Sequence, residues 1–369
     1  MSNSKFNKYL KIAKSKIVNH FQTEVYLRTG KFLPKPMKVY YLISNKCNYK
    51  CTICPQWECG LKEDPKEYIN TQKMKELINE MKELKIGEFG ISGGEALIYT
   101  DKTFELLEYA NKKGLYTHFV SNGSLITKEI LDKYEEIGGG HISLSIDAIG
   151  LQHDKLRGVN GAYESIENIL KLFKENNYKK IVLKINTVLS GGNLEHIMPV
   201  IKLTKESGAL IFVQPYDAYD YKPKLKLAEK QNKFPLWIQE NQFSKLEQVL
   251  DDMLEFKKQN PEILLNDKRH IKSMYKYFKE CQSGLKCFAG IDQVAISPQG
   301  KITFCKYGEF YDLKKNGLKD YIKSKKRKEI IEDSLNCKQG CLLSCMFRPS
   351  IGSMILNGPK QFLKLVRNK

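Results

Sequence analysis

The sequence predicts an α/β fold built on a parallel sheet, because two kinds of segment alternate between Val39 and Pro215. Short apolar runs rich in Val, Ile, Phe and Tyr lie at 39–43, 86–91, 115–120, 141–146, 181–188 and 209–214. Such runs are typical of strands buried on both faces. Helical patterns separate them, at 71–85, 101–113, 127–137, 161–176 and 193–207. Alternation of this kind indicates parallel strands with crossover helices. Six units, where a closed barrel has eight, predict an open, partial barrel.

The composition is that of a globular protein with room for one large domain and a smaller one. The chain has 369 residues, 41% of them hydrophobic, and no apolar run long enough to span a membrane. Its ten cysteines come without the apolar core of a signal peptide. We therefore expect a cytoplasmic protein whose cysteines are reduced thiols or metal ligands.

The formal net charge is +19, which raises the question of nucleic-acid binding. A nucleic-acid site needs a basic patch with interleaved aromatic residues, whereas these lysines are scattered over nearly every predicted helix. The pattern predicts no nucleic-acid partner. Anionic substrates or an anionic membrane surface suit the charge better.

The basic segment 1–36 has a partly helical pattern. Phe6, Leu10, Ile17, Val18 and Phe21 are spaced to line one helix face. Two interpretations remain open: a helix packed on the domain, which we favour, or an amphipathic arm on a membrane surface.

A loop with three cysteines follows the first predicted strand. Cys47, Cys51 and Cys54 have the spacing C-x3-C-x2-C, and thiolates are ligands of soft metals. A [4Fe–4S] cluster normally takes four cysteines, so three would leave one iron open to a substrate or cosubstrate. Structural zinc needs four ligands, and no nearby pair completes a zinc site. The loop therefore predicts an iron–sulfur cluster.

A second group of cysteines lies in the last third of the chain: Cys281, Cys287, Cys305, Cys337, Cys341 and Cys345. The segment from Gln293 to Cys305 predicts a β-hairpin, with a Pro-Gln-Gly turn between two apolar strands. The hairpin and the last three cysteines would together form a fully ligated metal site. A zinc ribbon is the alternative, which spacing does not exclude.

Further polar residues follow the predicted strands, where ligands of parallel sheets bind. Strand two ends in Gly93-Gly94-Glu95, whose glycines permit close backbone approach and whose carboxylate is able to accept a bond from an amine. Similar positions after the other strands are Ser121, Asn122, Ser145, Asp147, Arg157, Asn186 and Gln214. We interpret the segment between Asp147 and Arg157 as a loop.

The first cysteine loop, filled by Cys47, Cys51, Ile53 and Cys54, resembles the cluster loop of radical S-adenosylmethionine (radical SAM) enzymes. The resemblance implies a partial (β/α)6 TIM-like barrel. It also implies a [4Fe–4S] cluster whose open iron chelates the methionine part of S-adenosylmethionine, and a 5′-deoxyadenosyl radical that abstracts hydrogen. Gly93, Gly94 and Glu95 look like the family's GGE motif, which holds the methionine amino group. The strand-end residues named above look like the family's ribose, carboxylate and adenine contacts.

The C-terminal cysteines resemble the SPASM domain or its shorter form, twitch, through Cys287, Gly300 and Cys305. The chain departs from the full SPASM pattern, since Cys337, Cys341 and Cys345 follow C-x3-C-x3-C and no cysteine comes after them. The resemblance implies one auxiliary [4Fe–4S] cluster. Its expected ligands are Cys287, Cys305 and two of the last three cysteines, with Cys341 and Cys345 favoured.

Five segments follow from these patterns. They are a helical arm at 1–36, the radical SAM barrel at 37–216, a lid or linker with helices at 217–280, the auxiliary domain at 281–350 and a basic tail at 351–369. Within 217–240, aromatic residues favour an ordered lid over the barrel, and a solvated linker is the alternative.

The expected activity is oxidation or epimerisation of a small polar substrate such as a sugar, aminocyclitol or nucleotide-linked sugar. The electron donor would be a flavodoxin or ferredoxin. Cys59 and Cys281, which neither cluster uses, are candidate hydrogen-atom donors; the alternative is that they are incidental buried residues. Maturation of a ribosomally made peptide is the second hypothesis, and a non-catalytic iron–sulfur or zinc protein on nucleic acid is a distant third.

Overall fold

The structure is a computed structural model that describes residues 3–217, 227–303, 308–337, 341–343 and 348–349, with side chains from residue 15 onward. Within these ranges nine strands form one sheet in the order β6-β5-β4-β3-β2-β1-β7-β8-β9. The first six are β1 Lys38–Leu42, β2 Glu88–Ser92, β3 Tyr116–Ser121, β4 Gly140–Ser145, β5 Ile181–Leu189 and β6 Leu210–Pro215. All neighbours among these six pair in parallel. The predicted partial barrel is therefore confirmed.

The predicted crossover helices are also present, within a few residues of their expected bounds. They are α3 Thr71–Glu83, α4 Thr100–Lys112, α5 Lys128–Glu136, α7 Ala162–Asn176 and α8 Leu194–Glu206. The start of α3 shows how the sequence defines such a helix: the Asn70 side chain accepts a bond from the Lys73 backbone N–H. Met74, Leu77, Ile78 and Met81 recur at helical spacing after it and are fully buried.

The two faces of the sheet differ in their surroundings. Residues such as Val39, Phe89 and Phe119 are fully buried on the face that the helices cover, and the Phe104 ring of α4 lies 6.4 Å from the Phe119 ring. We call the opposite, concave side the lumen. Its half-buried residues include Tyr40, Tyr116, Val120, His141, Ser145, Lys184, Asn186, Val188, Phe212 and Gln214. Parallel barrels bind their ligands from this side.

The predicted C-terminal hairpin is present and extends the barrel sheet. β7 (Gln293–Ile296) pairs in parallel with β1, and β8 (Lys301–Thr303) and β9 (Glu309–Asp312) continue antiparallel. Gly300 in the turn has φ +78°, and a Cβ there would meet Ile69 at 2.9 Å, so glycine suits both the turn and the contact. Two helices follow, α12 Leu318–Lys323 and α13 Lys325–Leu335.

Helices α9 Leu227–Lys233, α10 Phe243–Gln259 and α11 Lys268–Glu280 follow β6, the last two as predicted. Trp237, expected in a lid or linker, is fully buried. Its indole Nε1–H donates to the Phe278 carbonyl at 3.0 Å, so this part of the segment packs against α11. The rest of the predicted lid, 218–226, lies outside the described residues, as do Cys305, Cys345 and 350–369.

The N-terminal segment is a helix, α1 Asn3–Thr29, packed on the domain as we favoured. The face that packs differs from the one we predicted. Ile17, Val18 and Phe21 are 51%, 53% and 68% exposed, whereas Thr23 and Tyr26 are buried. Tyr26 packs with Ile291 and Ile331 from the last third of the chain, and these apolar neighbours determine the packed face. In the described part of the chain, no helix is both long and apolar enough for a membrane span.

Candidate active site

The three cysteines lie in the loop between β1 and the short helix α2 (Gln56–Gly60). Cys47, Cys51 and Cys54 are half-buried, and the Cys54 N–H donates to the Cys51 carbonyl at 3.3 Å. Burial raises the pKa of each thiol, that of Cys54 to about 11. Neighbouring cysteines contribute to the rise at Cys47 and Cys54, whereas Arg157 opposes it at Cys51. Iron binds the thiolate, so loading the site with metal must displace these protons.

The arrangement of the thiols fits a cluster better than a single ion. Among the described residues, no three Cys, His, Asp or Glu side chains are placed to hold one metal ion. Zinc gathers its ligands around one point, whereas the cysteines of a [4Fe–4S] cluster bind separate irons. The loop offers three half-buried thiols, and the next one along the chain, Cys59, is exposed on α2. A donor set of three suits a cluster with one open iron.

A carboxylate that the sequence analysis missed supports the start of this loop. Glu63 accepts bonds from the Asn45 backbone N–H at 2.9 Å, the Asn45 amide at 2.6 Å and the Tyr68 hydroxyl at 2.5 Å. The Ser44 hydroxyl donates to it at 3.2 Å. A glutamate in a polar stretch gives no pattern from which this network is predictable, because its partners are brought together only by the fold.

The two glycines after β2 place the strand end directly against the cysteine loop. Gly94 N–H donates to the Ser44 carbonyl at 2.7 Å, and Glu95 N–H donates to the Lys46 carbonyl at 2.9 Å. A Cβ on Gly94 would lie 2.1 Å from the Lys46 oxygen, and Gly93 has φ +130°. Glycine is therefore required at both positions, for close approach and for backbone conformation.

Glu95 joins the end of β2 to the end of β3. Its carboxylate is fully buried and accepts bonds from Ser121 Oγ at 3.0 Å, the Asn122 N–H at 2.8 Å and the Leu97 N–H at 3.0 Å. Burial raises its pKa, and these three bonds oppose that shift. The Glu95 carboxylate thus already accepts three hydrogen bonds from the protein. A bond from a ligand amine would be a fourth.

Asn122 also contacts the cysteine loop. Its side-chain Nδ2 donates to Asn48 Oδ1 at 2.9 Å and lies 3.9 Å from Cys47 Sγ. The residues that the sequence predicts after strands two and three are thus brought together at the edge of the loop.

The end of β4 contributes a buried ion pair to the same edge. Arg157 and Asp147 lie 2.5 Å apart, with 9% and 0% of their side chains exposed. Asp147 also accepts the Val188 N–H at 2.8 Å. Burial raises the pKa of Asp147, while the Arg157 guanidinium opposes the rise. A guanidinium nitrogen of Arg157 lies 4.0 Å from Cys51 Sγ, so this cation favours a thiolate there.

Arg157 stands on a helix, α6 Leu151–Arg157, where the sequence analysis expected a loop. The prediction of a loop is therefore wrong. Contacts with the cysteine loop stabilise the helix, and the local sequence does not show them. The Leu156 carbonyl accepts the Thr52 N–H at 3.0 Å and the Thr52 hydroxyl at 3.1 Å. Gly158 ends α6 with φ +66°, and a Cβ there would meet the Lys50 oxygen at 2.4 Å.

The remaining predicted residues have less direct contact with the loop. Ser145, Asn186 and Gln214 are half-buried on the lumen side, and Ser145 is the register partner of Asn186. Cys59 is exposed on α2, and Cys281 is half-buried just after α11. Of the expected auxiliary ligands, Cys287, Cys337 and Cys341 are described and half-buried.

The strands and loops that form this site match a known protein family. Residues 41–204 match the sequence family described as the Radical SAM superfamily. This part of the chain is a radical SAM domain. The cofactors expected of this domain are a [4Fe–4S] cluster and S-adenosylmethionine.

The curated relatives of the radical SAM domain act on different substrates. An AdoMet-dependent heme synthase of Methanosarcina barkeri is 30% identical over 178 residues, 48% of this chain and 49% of that protein. A PqqA peptide cyclase of Bradyrhizobium diazoefficiens is 26% identical over 171 residues, 46% of this chain and 43% of that protein. The chain spans about half the length, or less, of the curated relatives it matches.

Two solved structures share the fold over most of the chain. SuiB of Streptococcus suis bound to its precursor peptide SuiA superposes with a TM-score of 0.60 at 15% identity, covering 84% of this chain and 69% of that one. The enzyme anSMEcpe with bound AdoMet gives 0.57 at 18% identity, covering 90% and 97%. The likeness therefore extends beyond the radical SAM domain.

Proposed function

We propose that this enzyme cleaves S-adenosylmethionine reductively at a cluster held by Cys47, Cys51 and Cys54, and uses the resulting radical to modify a peptide. The observation that carries the proposal is the convergence of two strand ends and helix α6 on the cysteine loop. Gly94 bonds to the loop backbone, Asn122 lies beside Cys47, and Arg157 lies beside Cys51. Each contact places a polar group beside the loop that would hold the cluster.

The cluster and S-adenosylmethionine together supply an electron and a carbon-centred radical when bound. The chain supplies position and charge. Arg157, fixed by Asp147, is a buried cation next to the thiolates and suits the methionine carboxylate. Gly93 and Gly94 hold the end of β2 against the cysteine loop, where their backbone would receive the methionine amino group. Glu95 fixes Ser121 and Asn122 at the same edge. Ser145, Asn186 and Gln214, on the lumen side, would hold the nucleoside.

The preference for a peptide departs from the small polar substrate expected from sequence. SuiB and anSMEcpe, whose structures include peptide-bound forms, resemble this chain over 84% and 90% of its length, more than the radical SAM domain alone. A peptide-modifying role is therefore better supported than oxidation or epimerisation of a sugar. A heme-related tetrapyrrole is the second candidate, supported by the 30% identity to a heme synthase.

We expect the wild-type enzyme, loaded with iron and sulfide without oxygen and reduced with dithionite, to form 5′-deoxyadenosine from S-adenosylmethionine. The reduced enzyme is then incubated with peptides encoded beside its gene or with iron-coproporphyrin, which represents the tetrapyrrole candidate. Mass spectrometry shows which compound is modified. A mass change on a peptide supports the proposal, and a change on the porphyrin alone would replace it with the second candidate. Absence of 5′-deoxyadenosine under all conditions would contradict the activity itself.

The C-terminal cysteines are proposed to hold a second [4Fe–4S] cluster, by Cys287, Cys305 and two of Cys337, Cys341 and Cys345. We expect close to eight irons per chain after anaerobic purification, because two cubes carry four irons each. Iron, sulfide and zinc analysis measures this directly. Four irons with one zinc would identify a zinc ribbon instead.

A further inference from the structure

A group of titratable side chains lies at the other end of the lumen, near the strand starts, and no part of the proposed S-adenosylmethionine site uses it. His118 on β3 and His141 on β4 are register partners whose rings stack at 4.2 Å and 9°. Lys184 on β5, Lys38 on β1 and Glu88 on β2 act electrostatically on the His118 ring. We call these five residues the basal cluster.

The charges of the basal cluster do not balance. Glu88 pairs with Lys38 at 4.0 Å and with Lys16 of α1 at 3.4 Å, so one carboxylate already serves two cations. The Lys184 side chain has no hydrogen bond or ion pair to any described residue, and its Nζ lies 5.8 Å from the Phe212 ring centroid. Burial and the charge of Lys38 lower the pKa of Lys184 to about 8. With Lys16 included, three lysines thus surround Glu88, and the other nearby carboxylate, Asp292, is already paired with Arg348. Half-buried cations without partners are costly.

His118 adds unpaired hydrogen-bonding groups at the same place. The side chain is 1% exposed, yet neither Nδ1 nor Nε2 has a hydrogen-bond partner among the described residues. Burial lowers its pKa to about 3, so the ring is neutral and offers one N–H donor. A Cβ on Gly90 would lie 2.1 Å from Nε2, so the His118 ring fits only because residue 90 is glycine. A buried ring with neither nitrogen bonded is expected to meet a ligand or an ordered water.

The basal cluster belongs to the lumen face of the sheet. Lys184, His141 and Tyr116 are half-buried and belong to the same concave face as Asn186 and Gln214. From Lys184 to Val188, near the strand end, is four residues of β5, or about 13 Å at the rise of a strand. A group bound at Lys184 would therefore belong to a substrate long enough to extend along the strands from the radical site.

We propose that the basal cluster binds an oxyanion of the substrate, a carboxylate or a phosphate, through the Lys184 ammonium and a ring nitrogen of His118. The inference rests on the proposed function, since it assigns the inner end of that enzyme's substrate. The anion balances the excess of lysine charge and accepts the hydrogen bond that His118 cannot make within the protein. It also selects for extended, acidic substrates over short neutral ones.

Calorimetric titration of the cluster-loaded enzyme with sodium phosphate and with sodium propionate tests this proposal. S-adenosylmethionine is present so that the open iron is occupied, chloride keeps the ionic strength constant, and no reductant is added. We expect saturable binding of at least one anion with a stoichiometry of one. Phosphate alone would indicate a phosphorylated substrate, and propionate alone a carboxylate of a peptide or porphyrin.

The variants distinguish a built site from general attraction to a basic protein. Lys184→Gln should weaken anion binding at least tenfold. His118→Phe should also weaken it, because phenylalanine keeps an aromatic ring but has no ring nitrogen. Lys202→Gln removes the same charge from an exposed position on α8 and should bind as the wild type does. Lys184→Arg keeps the cation and should retain binding, which guards against misfolding of the glutamine variant.

Absence of binding by the wild type, or equal binding by Lys184→Gln and Lys202→Gln, would overturn the proposal. Because the titration involves no turnover, it can succeed or fail independently of 5′-deoxyadenosine formation.

Discussion

Replacement of Cys47, Cys51 and Cys54 by Ala is expected to reduce formation of 5′-deoxyadenosine to background. The three thiols are the metal ligands that the cysteine loop offers, and an open iron exists only if the cluster is held there. The variant should lose about four of the expected eight irons and keep the rest at the C-terminal site. Iron analysis, together with chromatography of the nucleoside product after reduction, measures both effects.

Cys59→Ala is the matched control for this variant. Cys59 lies shortly after the same loop but is exposed on α2, so cleavage and iron content should stay at wild-type levels. If the triple variant still cleaved S-adenosylmethionine, the site would have to be elsewhere in the chain.

The second large effect concerns the buried pair. Asp147→Ala is expected to lower the free energy of unfolding by about 3–5 kcal/mol, because it leaves the Arg157 guanidinium buried without its counter-charge. Denaturation of the metal-free protein, followed by circular dichroism, measures the change. Activity should fall as well, since Arg157 would lose the contact that fixes it beside Cys51.

An exposed ion pair with the same N–O distance serves as the control for the buried pair. Lys128 and Asp132 also lie 2.5 Å apart, but about half of each side chain is exposed. Asp132→Ala should change stability little, because water solvates both partners and salt screens them. If the two aspartate variants were equally stable, burial would not be the source of the Asp147 effect.

The sequence was most informative where the chain repeats a regular pattern. Strand and helix positions from Val39 to Pro215 follow from periodicity, because a buried parallel sheet requires apolar runs and its crossovers require amphipathic helices. The cysteine spacing and the Gly93-Gly94 pair are local signals, and they were sufficient to locate the candidate site. The hairpin from Gln293 was predictable from its turn residues for the same reason.

What the sequence did not reveal depends on contacts between distant segments. The Glu63 network, the helical form of α6 and the packed face of α1 each depend on partners elsewhere in the chain. The exposed Phe21 shows that an apolar spacing does not identify the side that packs when both sides of a helix carry apolar residues. The basal cluster gave no motif at all, since its members come singly from separate strands.

The position of β1 has a consequence for how the chain folds during synthesis. Its partner β2 is made soon after it, but its partner on the other side, β7, begins only at Gln293. Until then, one edge of β1 has unpaired backbone groups, and such edges invite pairing with other chains. The ribosome must therefore produce most of the protein before the strand that leads into the cysteine loop is paired on both sides. Completion of the barrel sheet around the cysteine loop is therefore expected to be a late step of folding.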